Sequence, residues 1–163
     1  MSANEKSKTI PVIEGHGGTG AKEWTMTGLT ASDGKFQLDR KDFQIVSGAI
    51  HYFRVPREYW RDRLEKLLAL GCNAVETYVP WNLHEPAPGR FDFSGMLDME
   101  AFLSLAHGMG LKAIIRPSPY ICAEFEFGDQ PWWLLKDPEM RVREPGGGYE
   151  KASAPARPSI SSR

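Results

Sequence analysis

From Phe36 onward the chain shows the spacing of apolar residues that short strands require. Residues around Phe36 and Leu38 and residues 43–52 read as strands on either side of a turn at residues 39–41. Two further segments, residues 74–79 and 112–116, have the length of strands and are predicted as such. The pattern therefore predicts four strands. Of the first two, the strand at residues 43–52 is predicted more strongly than the strand around Phe36 and Leu38.

Two amphipathic helices are predicted between the last three strands. The first opens near Pro56, because proline suits the first turn of a helix, and Gly71 ends it. The second ends at Gly110, and a short helix over residues 131–136 follows the last strand. The buried stripes comprise Leu64, Leu67 and Leu68 in the first helix and Met99, Phe102, Leu103 and Ala106 in the second.

This order of strand, helix, strand, helix and strand favours an α/β fold. Strands that are separated by whole helices cannot pair as hairpins, so the sheet is predicted to be parallel. Right-handed crossovers then place the helices outside the sheet.

The two ends of the chain differ from this pattern. Residues 1–26 lack regular periodicity and are predicted to be a flexible lead-in, and residues 146–163 are rich in Gly, Ser, Ala and Pro and are predicted to be a disordered tail. The folded domain is expected over residues 27–145. Residues 15–20, GHGGTG, match the dinucleotide fingerprint, but no amphipathic helix follows to hold a phosphate. We therefore interpret them as a linker and predict no cofactor.

Composition and charge exclude several classes of protein. The 163 residues are 41% hydrophobic and 25% charged, as in an ordinary globular domain. The net charge of −1 creates no global field for nucleic acid or an anionic membrane, so no nucleic-acid partner is predicted. The chain has no apolar run of membrane-spanning length and no apolar segment typical of a secretory signal, so we expect no membrane span and a cytosolic location by default.

Cysteine and histidine give no metal-ligand pattern. Cys72 and Cys122 have neither metal-ligand nor disulfide-scaffold spacing and are predicted to be packed or half-buried thiols. His51, His84 and His107 lie on different predicted elements, so structural roles are favoured for them. No metal site is predicted.

The carboxyl ends of the predicted strands carry most of the candidate chemistry, and ligands bind at these ends in parallel α/β folds. Flat aromatic rings beside carboxylates and amides suit a sugar, although each ring is about as well explained as a core residue. The aromatic residues concerned are Tyr52, Tyr78, Trp81, Tyr120, Phe125, Trp132 and Trp133.

Charged residues at the same ends leave alternatives open. Arg54 and Arg116 could clamp a carboxylate or orient a catalytic acid, and structural ion pairing is equally expected. Glu124 and Glu126 are two residues apart, so they would point to opposite faces of an extended chain. We therefore expect only one of them to face a ligand, without the other as an acid/base partner.

Two phrases, TYVPWNLHEP at residues 77–86 and RPSPYICAEFEFG at residues 116–128, closely resemble the start of the catalytic barrel in family 35 glycoside hydrolases. The resemblance spans about residues 34–143 and implies a partial TIM (β/α)8 barrel with about the first three of its eight βα units. It implies retaining hydrolysis of terminal β-galactosides, so a galactoside glycan is the expected partner. Members of this family are lysosomal or secreted.

The resemblance also implies the roles of several residues. Tyr78 corresponds to a sugar-contacting tyrosine of the family. Ile121, Cys122, Ala123 and Glu124 correspond to its galactose-binding segment, in which the glutamate accepts hydrogen bonds from sugar hydroxyls. Phe125 stands where the family usually has Trp, and Asp129 where it has Gly. These departures leave open which aglycone is preferred. They also leave open an activity on β-glucosides or β-mannosides.

The family's two catalytic glutamates have no counterpart here. Its acid/base belongs to an Asn-Glu pair after the fourth strand and its nucleophile follows the seventh, whereas the Asn-Glu dipeptide of this sequence is Asn4-Glu5. We assign no catalytic residue and expect a truncated, inactive fragment. The alternative is a non-catalytic carbohydrate-binding or interaction fragment. It would associate with itself or a full-length relative through the open edge of its third parallel strand.

Overall fold

The computed structural model describes residues 9–15, 24–32, 34–117, 119–138 and 140. The predicted tail and residues 16–20 of the glycine-rich motif lie outside the described residues. The chain divides into two compact units. Unit 1 comprises Met1–Ile50, Glu58–Glu76 and Glu100–Ile114, and unit 2 comprises His51–Arg57, Thr77–Met99 and Ile115–Arg163.

An antiparallel sheet opens unit 1. It contains β1 (Thr9–Gly15), β2 (Trp24–Ser32), β3 (Lys35–Leu38) and β4 (Lys41–Asp42), in that order. β1 and β2 are antiparallel, with Thr9 opposite Thr30. The prediction that residues 1–26 lack strands is wrong for 9–15 and 24–26, where β-branched residues such as those of TIPVI favour extended backbone. The boundary of the folded domain stays a prediction.

A tight turn joins β3 to β4, as predicted. Asp39 and Arg40 both have positive φ angles, 51° and 66°, which suits the right-handed twist of a hairpin. The Phe43 N–H donates to the Phe36 carbonyl at 2.8 Å, so residue 43 continues this hairpin. The predicted strand over residues 43–52 is consequently too long, and only β5 (Ser47–Ala49) forms within it.

The second sheet contains β5, β6 (Ala74–Val79) and β7 (Lys112–Pro117), in that order. β5 and β6 are parallel, with Ser47 opposite Ala74 and Ala49 opposite Glu76. The predicted parallel pairing is confirmed for these two strands. The predicted bounds of β6 are also confirmed, and β7 runs one residue further than predicted.

The helices are α1 (Trp60–Ala69), α2 (Trp81–His84) and α3 (Met99–Gly108). The apolar spacing predicts α1 and α3, whereas α2 was not predicted. The chain enters α1 through a single 3-10 turn at Arg57–Tyr59, and further 3-10 turns lie at Tyr52–Arg54, Gly95–Leu97, Glu126–Asp129 and Trp132–Lys136. The helix predicted at residues 131–136 is therefore a 3-10 helix.

Gly71 and Gly110 end α1 and α3 as predicted. Their φ angles are +83° and +86°, a conformation that glycine adopts without steric cost. The N–H of the next residue then donates back to the last turn, from Cys72 to Leu67 at 3.2 Å and from Leu111 to Ala106 at 3.0 Å. Both helices thus close with a Schellman motif.

The core of unit 1 forms between α1 and α3. The Trp60 and Phe102 rings meet edge to face at 5.4 Å, and Leu64 is fully buried. A Cβ on Gly48 of β5 would lie 2.3 Å from the Leu67 side chain, so this strand needs glycine to pack closely. The prediction that Leu68 is buried is wrong, because 36% of it is exposed. Trp60, Leu64 and Leu67 define the buried stripe, and Leu68 lies at its flank.

These elements make a mixed α/β fold with small sheets. Within the described ranges the strands form two open sheets, and no closed barrel is present. None of the helices in the described part of the chain is long and apolar enough to cross a membrane.

Candidate functional site

Unit 2 contains the carboxyl end of β6, and with it Tyr78. The ring of this tyrosine is largely buried, with 8% of the residue exposed. The Arg116 guanidinium lies 4.5 Å from the ring centroid, and the His51 ring lies 5.1 Å from it on a tilted plane. The Tyr78 N–H also donates to His51 Nδ1 at 3.4 Å. Tyr78 is therefore held by contacts on its ring and on its backbone.

The segment from Ile121 to Glu124 alternates between buried and exposed side chains. Ile121 and Ala123 are buried, whereas Cys122 and Glu124 are exposed. The Ile121 N–H donates to the Gly128 carbonyl at 3.0 Å, which closes the loop on itself. The prediction of a packed or half-buried thiol holds for Cys72 and is wrong for Cys122, because only its neighbours on either side turn inward.

The backbone of this loop is left-handed at several positions. Glu124 has a φ angle of 44°, and Phe127 and Asp129 have φ angles of 50° and 74°. Non-glycine residues adopt this conformation only where surrounding contacts hold it. The argument that Glu124 and Glu126 point to opposite faces assumed an extended chain, and that assumption is wrong here. Both glutamates are exposed.

Arg54 contacts the same segment. Its Nη2 donates to the Ala123 carbonyl and, at 3.4 Å, to the Glu124 carbonyl. Its guanidinium also lies 5.7 Å from the Phe53 ring centroid and 5.5 Å from that of Phe125. Sequence analysis left open a carboxylate clamp or a structural ion pair, and the described contacts are instead to backbone carbonyls and aromatic rings.

Glu85 is a buried carboxylate that sequence analysis did not single out. Its Oε2 accepts the Trp81 indole N–H at 2.6 Å, and its Oε1 accepts the Gly89 N–H at 2.7 Å. The Trp133 indole N–H donates to the Glu85 carbonyl at 3.0 Å, and the Trp81 and Trp133 rings meet edge to face at 5.6 Å. Glu85 thus orders the loop after α2 and fixes both tryptophans.

Asp129 joins the loop of residues 121–130 to the start of α2. It is fully buried, and its Oδ2 accepts the Trp81 N–H at 3.0 Å. A left-handed backbone explains why glycine is usual at this position in the family, and the carboxylate offers a hydrogen bond that glycine lacks. The only sequence clue to this residue was its departure from the family pattern.

His84 has a structural role, as predicted. Its Nδ1 lies 2.8 Å from the Asp92 carbonyl, which can only accept, so Nδ1 carries the proton. Its Nε2 then accepts the Tyr52 hydroxyl at 2.5 Å. Burial lowers the pKa of His84 below its ordinary value of 6.5, against the opposing effect of the Asp92 carbonyl. Burial also raises the pKa of Tyr52, so both groups stay neutral.

The aromatic candidates differ in exposure, and Phe125 and Trp133 are half-buried. Tyr52, Tyr78 and Trp81 are buried, whereas Tyr120 and Trp132 are exposed, Trp132 by 59%. The Tyr120 ring packs directly on Gly128, where a Cβ would lie 2.1 Å from it. Exposed aromatic rings and exposed carboxylates are the kinds of group that bind sugars, by stacking and by accepting hydrogen bonds. Among the described residues, no group of three His, Cys, Asp or Glu side chains could hold a metal ion.

Comparison with known proteins shows which family the sequence matches. The model of glycosyl hydrolases family 35 matches residues 35–155. Beta-galactosidase-1-like protein 2 of Homo sapiens is 57% identical over 125 residues, which are 77% of this chain and 20% of that protein. Beta-galactosidase of Felis catus is 53% identical over 115 residues, 71% of this chain and 17% of that protein.

A solved structure shares the fold. The crystal structure of beta-galactosidase from the psychrophilic Marinomonas ef1 matches 62% of this chain and 14% of its own, with a TM-score of 0.50 and 21% identity. At this identity the likeness concerns the fold alone. The chain spans about a fifth of the length of the curated relatives that it matches.

Proposed function

The chain belongs to glycosyl hydrolases family 35, and from this premise we propose that unit 2 forms part of the galactose-binding site of a β-galactosidase. In this proposal β5, β6 and β7 begin a TIM (β/α)8 barrel and supply about three of its eight repeats. The parallel pairing of β5 with β6 and the helices α1 and α3 between successive strands support the barrel.

The exposed pair Cys122 and Glu124 carries the proposal. Their buried neighbours Ile121 and Ala123 anchor the segment, so the two exposed side chains are presented from a fixed backbone. A carboxylate accepts hydrogen bonds from sugar hydroxyls, and such charge-assisted bonds are stronger than neutral ones. Glu124 is the proposed hydroxyl acceptor, and Tyr78 is the proposed ring contact.

The proposed reaction is retaining hydrolysis of terminal β-galactosides. It needs one carboxylic acid to protonate the leaving oxygen and a carboxylate to attack the anomeric carbon, about 5 to 5.5 Å apart. In the proposal Glu124 binds and orients the sugar and does neither step. In the proposal the 163 residues bind galactose and do not hydrolyse galactosides, because neither catalytic glutamate of the family has a counterpart among them. Association through the edge of β7 stays a prediction of the sequence analysis.

Alkylation of the two thiols tests the binding proposal in the 163-residue protein. Cys122 is exposed two residues before Glu124, and Cys72 is a half-buried thiol of unit 1 that serves as an internal control. Galactose at ten times its dissociation constant should slow iodoacetamide modification of Cys122 about tenfold and leave Cys72 unchanged. Glucose, which differs only in the orientation of one hydroxyl, should protect much less. Equal rates at Cys122 with and without galactose would refute the proposal.

Incubation with a chromogenic β-galactoside tests the second part of the proposal, that the polypeptide does not hydrolyse galactosides. We expect no turnover above the uncatalysed rate by the purified 163-residue protein, under conditions in which galactose protects Cys122. Measurable hydrolysis whose kcat is lost in Glu124→Gln, while galactose still protects Cys122, would assign this glutamate to catalysis instead of binding.

A further inference from the structure

Arg54 stands at the end of the 3-10 turn that follows β5, and it reaches a segment that lies 69 residues further along the chain. Its Nη2 donates to two successive carbonyls, those of Ala123 and Glu124. A guanidinium keeps its charge at any physiological pH and donates from a rigid planar fork. The donor therefore stays charged, and the contact is directional.

Two aromatic rings hold the guanidinium in place. The rings of Phe53 and Phe125 meet at 5.4 Å with an angle of 75°, and the guanidinium carbon lies within 5.7 Å of both centroids. A guanidinium can stack on an aromatic face while its N–H groups donate within their own plane. Lysine cannot do both, because its ammonium group is a point charge on a flexible stem.

The two carbonyls that Arg54 contacts lie on either side of the φ rotation of Glu124. The φ angle of a residue is the rotation defined between the carbonyl carbon before it and its own carbonyl carbon. Fixing the Ala123 and Glu124 carbonyls therefore fixes the φ angle of Glu124, which is 44° and unfavourable for a glutamate. The direction of the Glu124 Cα–Cβ bond, from which the carboxylate extends, follows from this angle.

We infer that Arg54 is a positioning residue, which holds the backbone of Glu124 in its left-handed conformation and so aims the carboxylate at a sugar hydroxyl. The inference rests on the proposed function for its sugar, while the backbone restraint can be measured without one. Arg54 acts through the two carbonyls and needs no contact with the ligand.

Hydrogen exchange of the 163-residue protein without sugar tests the restraint. The Ile121 and Gly128 amides are bonded within the loop, to the Gly128 and Phe125 carbonyls. In Arg54→Lys we expect both amides to exchange about tenfold faster, since a hydrogen bond to a charged group is lost. The amides of Cys72 and Leu111 in unit 1 should keep their rates, which excludes general unfolding.

Arg57 provides the matched control. It lies three residues further on in the same unit and pairs with the Asp98 carboxylate at 2.9 Å, and 49% of its side chain is exposed. Arg57→Lys should leave the Ile121 and Gly128 amides unchanged. Unchanged exchange in Arg54→Lys, or equal acceleration in both variants, would overturn the inference.

Galactose protection of Cys122 supplies the functional readout. Arg54→Lys should weaken it about tenfold, whereas Arg57→Lys should not. Absence of protection in the unmodified protein would refute the proposed function, and the exchange rates would still decide whether Arg54 restrains the loop. Full protection in Arg54→Lys together with faster exchange would show that the restraint does not serve sugar binding.

Discussion

Both units bury apolar side chains, but among the described residues only unit 2 also buries polar ones. In unit 1 the buried side chains are apolar, with Trp60, Leu64 and Phe102 at the centre. The buried polar or charged residues in the described part of the chain all belong to unit 2: Thr77, His84, Glu85, Asp129 and Gln130. Buried polar networks fix one arrangement, and they lose much stability when one partner is removed. Unit 1 is therefore stabilised by apolar packing, and the buried polar groups of unit 2 fix the positions of its loops.

Leu64→Ala gives the largest expected effect and addresses unit 1. Removing a fully buried leucine from α1 leaves a cavity beside Trp60 and Phe102, so the free energy of unfolding should fall by about 3 to 4 kcal/mol. Urea denaturation measures this change. Leu68→Ala on the exposed flank of the same helix should cost less than about 1 kcal/mol. Similar losses in both variants would refute the assigned packing face.

Glu85→Ala should give the next largest effect, within unit 2. It leaves the Trp81 indole N–H and the Gly89 N–H without their acceptor, which should lower the free energy of unfolding by about 2 to 3 kcal/mol. Glu85→Gln, which keeps one acceptor oxygen, should lose less. The matched control is Glu65→Ala, whose carboxylate is exposed on α1 and should change stability by less than about 0.5 kcal/mol. Equal effects of Glu85→Ala and Glu65→Ala would remove the contrast between the units.

Variants of Asp129 separate the contribution of its left-handed backbone from that of its side-chain hydrogen bond. Asp129→Ala loses the bond to the Trp81 N–H and keeps a Cβ on a left-handed backbone, which alanine tolerates less well than aspartate, so it should cost about 2 kcal/mol. Asp129→Gly loses the same bond but also removes the Cβ, so it should cost about 1 kcal/mol. Asp129→Asn should cost least. Thermal unfolding of the three variants checks the order. A glycine variant less stable than the alanine variant would contradict the left-handed backbone.

The pH dependence of stability gives the smallest effect. Because burial lowers the pKa of His84 in the folded state, the unfolded chain binds its proton first as the pH falls below about 6.5. Stability should therefore fall between pH 6.5 and the lower folded pKa, by at most about 1.4 kcal/mol per pH unit, and level off below it. Urea titrations at pH 7 and pH 5 measure this slope.

His84→Gln should remove that contribution, and His107→Gln on α3 should not. Asp42, Asp62 and Asp92 do not interfere in this range. Side-chain hydrogen bonds lower the pKa values of Asp42, Asp62 and Asp92 from 3.8, so their contribution is lost only as the pH falls further. A slope that survives in His84→Gln would show that another group is responsible.

Elements that a clear local sequence pattern marks could be predicted from the sequence. Residues 74–79 form β6 as predicted, and Gly71 and Gly110 end their helices because only the adjacent turn decides the conformation there. β1 was missed because its sequence mixes β-branched residues with polar ones and a proline. Its pairing with β2 depends on residues further along the chain.

The polar contacts of unit 2 could not be predicted in the same way. The Trp81 to Asp129 bond joins residues 48 apart, and the Arg54 to Ala123 bond joins residues 69 apart. Charged side chains are expected at the surface, so a buried Glu85 runs against the usual pattern. What the sequence did offer was the phrase around residues 121–124, through its resemblance to a family.

Calorimetric titration of the 163-residue protein with galactose tests the central claim most directly, in parallel with Glu124→Gln and Glu126→Gln. The account predicts binding by the unmodified protein and by Glu126→Gln, and affinity at least about tenfold weaker in Glu124→Gln, since a charge-assisted hydrogen bond is lost. Equal affinity in all three proteins, or a loss confined to Glu126→Gln, would contradict the assignment of Glu124 as the residue that receives the sugar.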